Sequence, residues 1–321
     1  MKRRQHAPVI RLRRRSLLST AACLALGACS SEAPAPEAPE VAAAPLARKV
    51  VAIGDVHGDL DALRGALRLA GAIDANDSWS GGAMVVVQVG DQLDRGDDEP
   101  EILALLDRLA AEATRAGGEL IVLTGNHELM NVAGDLRYVT PAGLRDFDGV
   151  PGADPDDPRF ASIPEASRAR AAAFAPGTKL AAQLARRPLH AIVDGTLFVH
   201  AGVLPAHLDA GLDALDREAD AWANGELRQP PRAVADSNGP LWTRAYGGPE
   251  AQVDCASARA VLDRLGLARM VVAHTVQPHI NSVCDGRVWR VDVGLSKHYG
   301  GPREVLVIEG DTPRVLTDPA R

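Results

Sequence analysis

The stretch KVVAIGDVHG, residues 49–58, decides how this chain can fold. A short apolar run rich in β-branched residues stops at Gly54-Asp55, the pattern of a strand buried on both faces of a parallel sheet. Apolar residues then recur at helical spacing between Leu60 and Ala70. The stretch therefore predicts a buried strand, a polar turn and a helix that packs back on the sheet.

The same pattern occurs twice more along the chain. The apolar runs at residues 83–89 and 120–123 each end at a glycine followed by a polar residue, Asp91 and Asn126, and a helical pattern at 102–109 separates them. Right-handed crossovers between parallel strands bring the carboxyl ends of those strands to one edge of a sheet. The polar residues at these turns should therefore meet at one edge, where α/β proteins form their sites.

Later segments extend this α/β prediction. Further strands are expected at residues 191–193, 197–199, 270–273, 288–293 and 304–308. Residues 137–190, rich in Pro, Asp, Ala and Arg, predict a loop followed by helix, which would form a cap or insertion and shape specificity.

Three blocks carry the chemistry: GDVHG at 54–58, GDQLDRG at 90–96 and GNHE at 125–128. In order and nearly in spacing they resemble the GDxHG, GDxxDRG and GNHE signatures of the phosphoprotein phosphatase (calcineurin-like metallophosphoesterase) superfamily. Two later histidines, His200 and His274, resemble its remaining strand-end histidines. Residues 125–139 and 291–294 are most similar to the Shewanella-like protein phosphatases.

The resemblance spans residues 49–308 and implies a metallophosphoesterase-type β-sandwich flanked by helices. It also implies a two-metal centre. Oxygen and imidazole ligands without cysteine suit Mn, with Fe or Zn as alternatives. The implied ligands are Asp55 and His57 for the first metal, Asp91 as the bridge, and Asn126, His200 and His274 for the second.

The reaction implied is hydrolysis of a phosphomonoester by a hydroxide that bridges the two metals. Arg95 would bind phosphoryl oxygens, and Arg244, in a segment similar to one in bacterial members, would be a second phosphate-binding residue. His127 would be the general acid for the leaving group, oriented by Asp94. Asp292, at a strand end, is expected either to support a ligand histidine or to be structural.

Other residues near the motifs have structural interpretations. We assign Glu128 no catalytic role, since a carboxylate near a helix start is favourable without one. Trp242 is expected in the core. His279 and His298 lie near motif-like segments and could line the pocket, but they are expected to be structural or at the surface.

Charge and composition restrict partners and location. Asp and Glu outnumber Lys and Arg by 42 to 35, although residues 1–28 are basic and carry no acid, so the remainder is too acidic for a nucleic-acid binder. Residues 1–28 have the pattern of a signal peptide, and the segment before Cys29 resembles a bacterial lipobox. The chain is thus expected to be a lipoprotein anchored through Cys29 on the periplasmic side of a membrane, with the outer membrane favoured.

The export route and the cysteine chemistry stay open at this point. Arg14-Arg15 is compatible with either twin-arginine or general secretion. Residues 29–47, rich in Pro, Ala and Glu, should be an extended tether before a domain at 48–321. Cys255 and Cys284 could pair in an oxidising compartment or remain free thiols.

Three functions are compatible with these features. The leading one is a phosphoprotein phosphatase, with phosphotyrosine favoured because the Shewanella-like group is associated with that preference, or with small phosphomonoesters as substrates. The alternatives are a diadenosine-polyphosphate hydrolase, whose cytoplasmic substrate conflicts with export, and a non-catalytic surface lipoprotein. The last conflicts with a complete ligand set, because buried like charges are costly without a metal.

Overall fold

A computed structural model describes residues 48–319. The predicted signal peptide at 1–28, the predicted lipid attachment at Cys29 and the predicted tether at 29–47 lie outside the described residues. Between residues 48 and 319, no helix is both long and apolar enough to span a bilayer.

Ten strands form two mixed sheets within the described part of the chain. The strands are β1 Lys49–Ile53, β2 Val85–Gln88, β3 Glu119–Val122, β4 His190–Val193, β5 Thr196–Val199, β6 Arg269–Val272, β7 Asn281–Val283, β8 Val288–Arg290, β9 Glu304–Glu309 and β10 Thr312–Thr317.

The first sheet has the order β10-β9-β1-β2-β3. β1, β2 and β3 are parallel in register, with Val51 opposite Val86 and Val86 opposite Leu120, while β9 pairs antiparallel with both β1 and β10. The predicted βαβ units are therefore present. Their three polar turns share one edge of this sheet.

The second sheet has the order β4-β5-β6-β8-β7, with β5, β6 and β8 parallel and antiparallel strands at both edges. Its Phe198 and Val271 share one hydrophobic core with Val86 and Leu306 of the first sheet. The two sheets thus pack face to face as a sandwich, which confirms the predicted fold class.

Helices flank both sheets. The first, α1, begins after Asp59, whose carboxylate accepts the Ala62 N–H, and ends at Gly71 in a left-handed conformation. The helices are α1 Leu60–Ala70, α2 Glu99–Arg115, α3 Asn126–Val132, α4 Glu165–Phe174, α5 Lys179–Ala185, α6 Pro205–Ala210, α7 Leu212–Ala223, α8 Arg232–Ala235 and α9 Cys255–Leu265.

The segment at 137–190 is a long loop with two 3₁₀ turns, Gly143–Arg145 and Pro158–Phe160, followed by α4 and α5. Phe147 and Phe174 from this segment pack edge to face with their centroids 4.7 Å apart. They share a small core with Leu93 and Leu103. The segment therefore packs directly behind the GDQLDRG block.

Cys255 at the start of α9 and Cys284 after β7 form a disulfide, with their Cα atoms 5.2 Å apart. The pairing that the sequence left open is therefore made, and it ties α9 to the edge of the second sheet.

Candidate active site

The three strand-end turns of the first sheet bring their polar side chains together. Asp55 and His57 follow β1, Asp91 follows β2, and Asn126 and His127 open α3 after β3. All five side chains are at least 97% buried. Four of them, His57, Asp91, Asn126 and His127, form the floor of a cavity of about 480 Å³, and Asp55 lies beneath this floor.

The second sheet supplies the two later histidines, as predicted. His200 follows β5, and its Nε2 lies 2.9 Å from Asn126 Oδ1 and 3.3 Å from Asp91 Oδ2. His274 follows β6, and its ring centroid lies 5.1 Å from that of His200. The structure therefore places all six predicted metal ligands in one site at the shared edge of the two sheets.

Two of the histidines are oriented by backbone carbonyls. His57 Nδ1 lies 3.0 Å from the Leu93 oxygen, and His200 Nδ1 lies 2.8 Å from the Val89 oxygen. A proton held on Nδ1 leaves Nε2 as the lone-pair nitrogen that faces the carboxylates. This is the usual arrangement of a metal-binding histidine, whose second nitrogen donates to a backbone oxygen or a carboxylate.

The polar groups on the floor fit divalent cations. Among the described residues, Asp55 Oδ1 and His274 Nε2 are buried without a hydrogen-bond partner. Ligand atoms of Asp91, His200 and His274 lie within 4.8 Å of one another. Burial raises the pKa of Asp55 well above its usual value, and the neighbouring carboxylates of Asp292 and Asp91 add to the shift. A bound cation would pair with these two atoms and offset the repulsion between the neighbouring carboxylates.

Burial also keeps two ligand histidines neutral. It lowers the pKa of His57 to about 4 and that of His274 to about 3, although Asp91 opposes both shifts. Neutral imidazole is the form that binds metals.

His127 and Asp94 form a separate pair beside the ligands. His127 Nδ1 lies 2.6 Å from Asp94 Oδ2, and Asp94 is completely buried. Burial lowers the pKa of His127, but the carboxylates of Asp91 and Asp94 outweigh it, so the net pKa is raised. Although His127 is close enough to His57 and Asp91 to form a metal-binding group, this pairing suits a protonated imidazole that donates.

Arg95 lies at the mouth of the cavity between two tyrosine rings. Its guanidinium carbon is 4.5 Å from the ring centroid of Tyr138 and 5.2 Å from that of Tyr299. Within residues 48–319 its Nε is buried with no hydrogen-bond partner, and His298 lies 3.4 Å from its Nη1. The stacked guanidinium thus has a donor available for an anion. His298 therefore contacts Arg95, as its position near a motif-like segment allowed, although it was expected to be structural or at the surface.

Arg244 lines the same cavity and donates from Nη1 to the Thr275 hydroxyl at 2.9 Å. Trp242, expected in the core, is only half-buried. It also lines the cavity, with its ring edge-on to His274 at 6.3 Å. Sequence reasoning did not assign four cavity residues to the site. Tyr138 lies in the family-like stretch at 125–139 but was given no role there, and Tyr299, Ser237 and Asn238 belong to no recognised block.

Glu128 has a structural function that the sequence did not specify. Its fully buried carboxylate accepts four backbone N–H groups at 2.7–3.1 Å. The donors are Gly125, Asp91, Gln92 and Leu93. Glu128 therefore holds the turns after β2 and β3 together, consistent with the absence of a catalytic assignment.

Asp292 follows β8 and contacts Asp55 rather than a ligand histidine. The Asp292 carboxyl group is close enough to raise the pKa of Asp55, and the Gly294 N–H donates to Asp292 Oδ1 at 3.0 Å. Of the two roles expected for Asp292, the structural one fits this position, because Asp292 lies where the two sheets approach closely. A Cβ on Gly54 would lie 2.3 Å from the Val291 oxygen, so only glycine permits that approach.

Much of the floor has strained backbone. His57, Asp91, Asp94, Arg95 and His274 all have positive φ, between 43° and 67°. Such conformations cost energy for residues other than glycine and concentrate at functional sites.

Buried carboxylate, imidazole and amide groups at the shared edge of two mixed sheets, with a buried Asp–His pair and arginines at the mouth, define a metallophosphoesterase. This class comprises metal-dependent hydrolases of phosphate esters. Residues 48–278 match the calcineurin-like phosphoesterase family, and the chain belongs to that family.

Relatives and solved structures agree with this assignment. The chain is 39% identical over 303 residues to Shewanella-like protein phosphatase 2 of Arabidopsis thaliana, covering 84% of this chain and 77% of that protein. It is 27% identical over 282 residues to Shewanella-like protein phosphatase 1 of Plasmodium berghei, covering 79% and 69%. The crystal structure of a cold-active protein-tyrosine phosphatase of a psychrophilic Shewanella species superposes with a TM-score of 0.65, at 25% identity, covering 84% and 80%. The resemblance to the Shewanella-like phosphatases is confirmed.

Proposed function

We propose that this chain is a metal-dependent phosphomonoesterase that hydrolyses phosphotyrosine in proteins or peptides. The observation that carries the substrate preference is the pair of half-exposed rings, Tyr138 and Tyr299, on either side of Arg95. A phosphoryl group bound at the Arg95 guanidinium would place an aryl leaving group between flat aromatic surfaces, which favour aryl over alkyl groups.

The predicted residue roles are compatible with the geometry. Asp55, His57, Asp91, Asn126, His200 and His274 would hold two divalent cations, Mn first among the candidates. Cations bound there would act as Lewis acids that activate water near neutral pH and offset phosphoryl charge.

The chain's own residues would then complete the reaction. Arg95 and Arg244 bind the non-bridging oxygens of the phosphoryl group through charge-assisted hydrogen bonds. The imidazolium of His127, held by Asp94, gives its Nε2 proton to the leaving oxygen as the ester bond breaks. The half-buried Trp242 and the two tyrosines reduce the water around the departing group.

A substrate series tests this proposal. Protein purified with Mn²⁺ should hydrolyse p-nitrophenyl phosphate, and Asp91→Asn should abolish turnover. Phosphotyrosine, phosphoserine and diadenosine tetraphosphate are then compared under the same conditions. Tyr138→Leu and Tyr299→Leu should lower kcat/KM for a phosphotyrosine peptide by about 10-fold each, the equivalent of 1–1.5 kcal/mol of ring packing.

Phosphoserine turnover should change little in the two leucine variants. The control for surface substitution is Leu227→Ala, because Leu227 is about as exposed as Tyr138, 41% against 40%, and does not line the cavity. Equal losses on both substrates would contradict the aryl preference, and absence of metal-dependent turnover would contradict the enzyme itself.

The two alternative functions are less favoured. The relatives reported above are protein phosphatases by name, which argues against a diadenosine-polyphosphate hydrolase. A non-catalytic protein has no reason to keep Asp55 Oδ1 and His274 Nε2 buried without partners.

We further propose export and lipid attachment at Cys29, on the sequence features of residues 1–28. Cys29→Ala should move the protein from the membrane fraction to the soluble periplasm. Arg14→Lys with Arg15→Lys should retain it in the cytoplasm if the twin-arginine route is used. Unchanged fractionation of both variants would contradict the proposal.

A further inference from the structure

A buried arginine of the 137–190 segment meets the Asp94–His127 pair from behind. Arg170 lies on α4, and its side chain is completely shielded from solvent. The guanidinium carbon lies 5.1 Å from the ring centroid of Phe147 and 5.0 Å from that of Phe174. Arg170 does not line the cavity. An arginine this buried needs full pairing, so its partners show what it holds in place.

The first set of partners leads to the catalytic histidine through hydrogen bonds. Arg170 Nε donates to Asn131 Oδ1 at 2.8 Å, and Asn131 Nδ2 donates to Asp94 Oδ1 at 2.9 Å. The other oxygen of Asp94, Oδ2, bonds His127 Nδ1 at 2.6 Å. Hydrogen bonds thus connect Arg170 on α4, through Asn131 and Asp94, to His127 at the floor of the site.

Arg170 also contributes to fixing the orientation of the Asn131 amide. Because the guanidinium can only donate, the atom of Asn131 that meets it must be the oxygen. The amide nitrogen is then directed at Asp94, where it donates to the carboxylate. The same nitrogen also donates to the His127 carbonyl oxygen at 2.9 Å. Without Arg170, Asn131 Oδ1 would lose its charged donor in the interior, and the amide that supports Asp94 would be held less firmly.

A second set of partners holds the backbone of Asp94. The Arg170 guanidinium pairs with both oxygens of Glu99, with Nη2 at 3.0 Å from Oε1 and a second bond from Nη1 to Oε2. Glu99 Oε1 in turn accepts the Asp94 N–H at 2.5 Å. Asp94 has a φ of 66°, so this bond stabilises a conformation that the residue would not adopt by itself.

We propose that Arg170 is a positioning residue for the leaving-group proton: it holds the side chain and backbone of Asp94, and through Asp94 the imidazole of His127. The inference rests on the proposed function, in which His127 protonates the leaving oxygen. The 137–190 segment, which carries Arg170, would thereby contribute to catalysis as well as to any substrate specificity.

The test uses leaving groups of different basicity. p-Nitrophenolate leaves readily without a proton, whereas an alkoxide requires one. Arg170→Met should lower kcat for p-nitrophenyl phosphate less than about 3-fold and kcat for an alkyl phosphate by about 10- to 100-fold, a part of the usual effect of a general acid. KM should change little, because Arg170 does not reach the substrate.

Matched variants separate positioning from general damage. Arg168 is on the same helix, and its hydrogen bonds within residues 48–319 go to the backbone oxygens of Ile163 and Ala161. Arg168→Met should therefore leave turnover of both substrates unaffected. Arg170→Lys keeps a positive charge beside Glu99 but lacks the planar guanidinium group. Its kcat for the alkyl phosphate should therefore lie between those of the unmodified protein and Arg170→Met. If Arg170→Met does not fold, Arg170→Lys and Asn131→Leu carry the test.

A double-mutant cycle with His127→Asn tests whether Arg170 acts through His127. If Arg170 acts through His127, Arg170→Met should have no further effect on alkyl phosphate turnover in the His127→Asn background. Independent effects that multiply, or equal losses across all leaving groups, would overturn the inference.

A readout without activity keeps the inference separate from the proposed function. In metal-free protein, the proton of the short His127–Asp94 hydrogen bond should give a far-downfield NMR signal, absent in His127→Asn. Arg170→Met should shift or broaden that signal, and Arg168→Met should not. An unchanged signal in folded Arg170→Met would overturn the positioning claim, whereas loss of turnover in the unmodified protein would overturn only the enzyme assignment.

Discussion

Replacing Asp292 by Asn should change how the stability of the metal-free protein depends on pH. Burial raises the pKa of Asp292 to about 6, and Asp91 adds to the shift. The Gly294 N–H, His200 and the hydrogen bond with Asp55 oppose it. The pKa of Asp55 is raised as well. Both carboxyl groups are buried at the contact between the sheets, and both therefore bind protons more readily than an exposed aspartate.

The sign and size follow from the raised pKa. The pKa of Asp292 is about 6 in the folded protein against an ordinary value of 3.8, so folding favours the protonated form of its carboxyl group. The stabilisation is complete below about pH 4 and is lost as pH rises through 6. The loss amounts to about 3 kcal/mol, at about 1.4 kcal/mol per tenfold change in proton affinity. Asn imitates the protonated carboxyl group, so Asp292→Asn should not lose this stabilisation.

Urea unfolding of EDTA-treated protein between pH 4 and pH 8 measures the difference. Near pH 4 the unmodified protein and Asp292→Asn should be similarly stable, and by pH 7.5 the variant should be more stable by about 3 kcal/mol. The neutral histidines His57 and His274 contribute an opposite slope, but they are common to both proteins and cancel in the comparison. With saturating Mn²⁺ the order should reverse, because the cations favour charged carboxylates. A difference that is independent of pH in metal-free protein would refute the reasoning.

Three further predictions concern stability and metal binding. Cys255→Ala with Cys284→Ala should lower the free energy of unfolding by about 3–4 kcal/mol, from the loop that the disulfide closes, as measured by urea unfolding; a change below about 1 kcal/mol would contradict this. Gly125→Ala would place a methyl carbon 2.1 Å from Asp91 Oδ1, so bound Mn measured by elemental analysis should fall at least 10-fold; full occupancy would contradict the geometry. Glu128→Gln replaces an acceptor oxygen by a donor opposite backbone N–H groups and should cost about 3 kcal/mol or more in urea unfolding; a variant of unmodified stability would show that these bonds are dispensable.

The fold and the floor of the site could be predicted because they follow from local patterns. The runs that became β1, β2 and β3 are short, apolar and terminated by glycine, and parallel pairing then places Asp55, Asp91 and Asn126 at one edge. β7 and β10 were not predicted. β7 has three residues, and β10 is an edge strand with a proline and only partial burial, so neither has a strong apolar period.

The supports of the site could not be predicted in the same way. Arg170 is separated from Glu99 by 71 residues, and its helix has no strong apolar face to indicate that an arginine is inside. The tyrosines beside Arg95 come from the 137–190 segment and from the loop after β8, and only packing brings them together. Such partners are fixed by tertiary contacts, so a motif identifies the reacting residues but not the residues that orient them.

The position of Asp292 shows why the site and the stability of the sandwich cannot be separated. Asp55 ends a strand of the first sheet and Asp292 a strand of the second, and Gly54 lets the two backbones approach. Above pH 6, without cations, the negative charges at this contact oppose the packing of one sheet on the other. Cations at the floor would draw ligands from both sheets, since His200 and His274 come from the second. Metal binding should therefore stabilise the whole domain, and the carboxylate pair is placed where its charge is tolerable only when the site is filled.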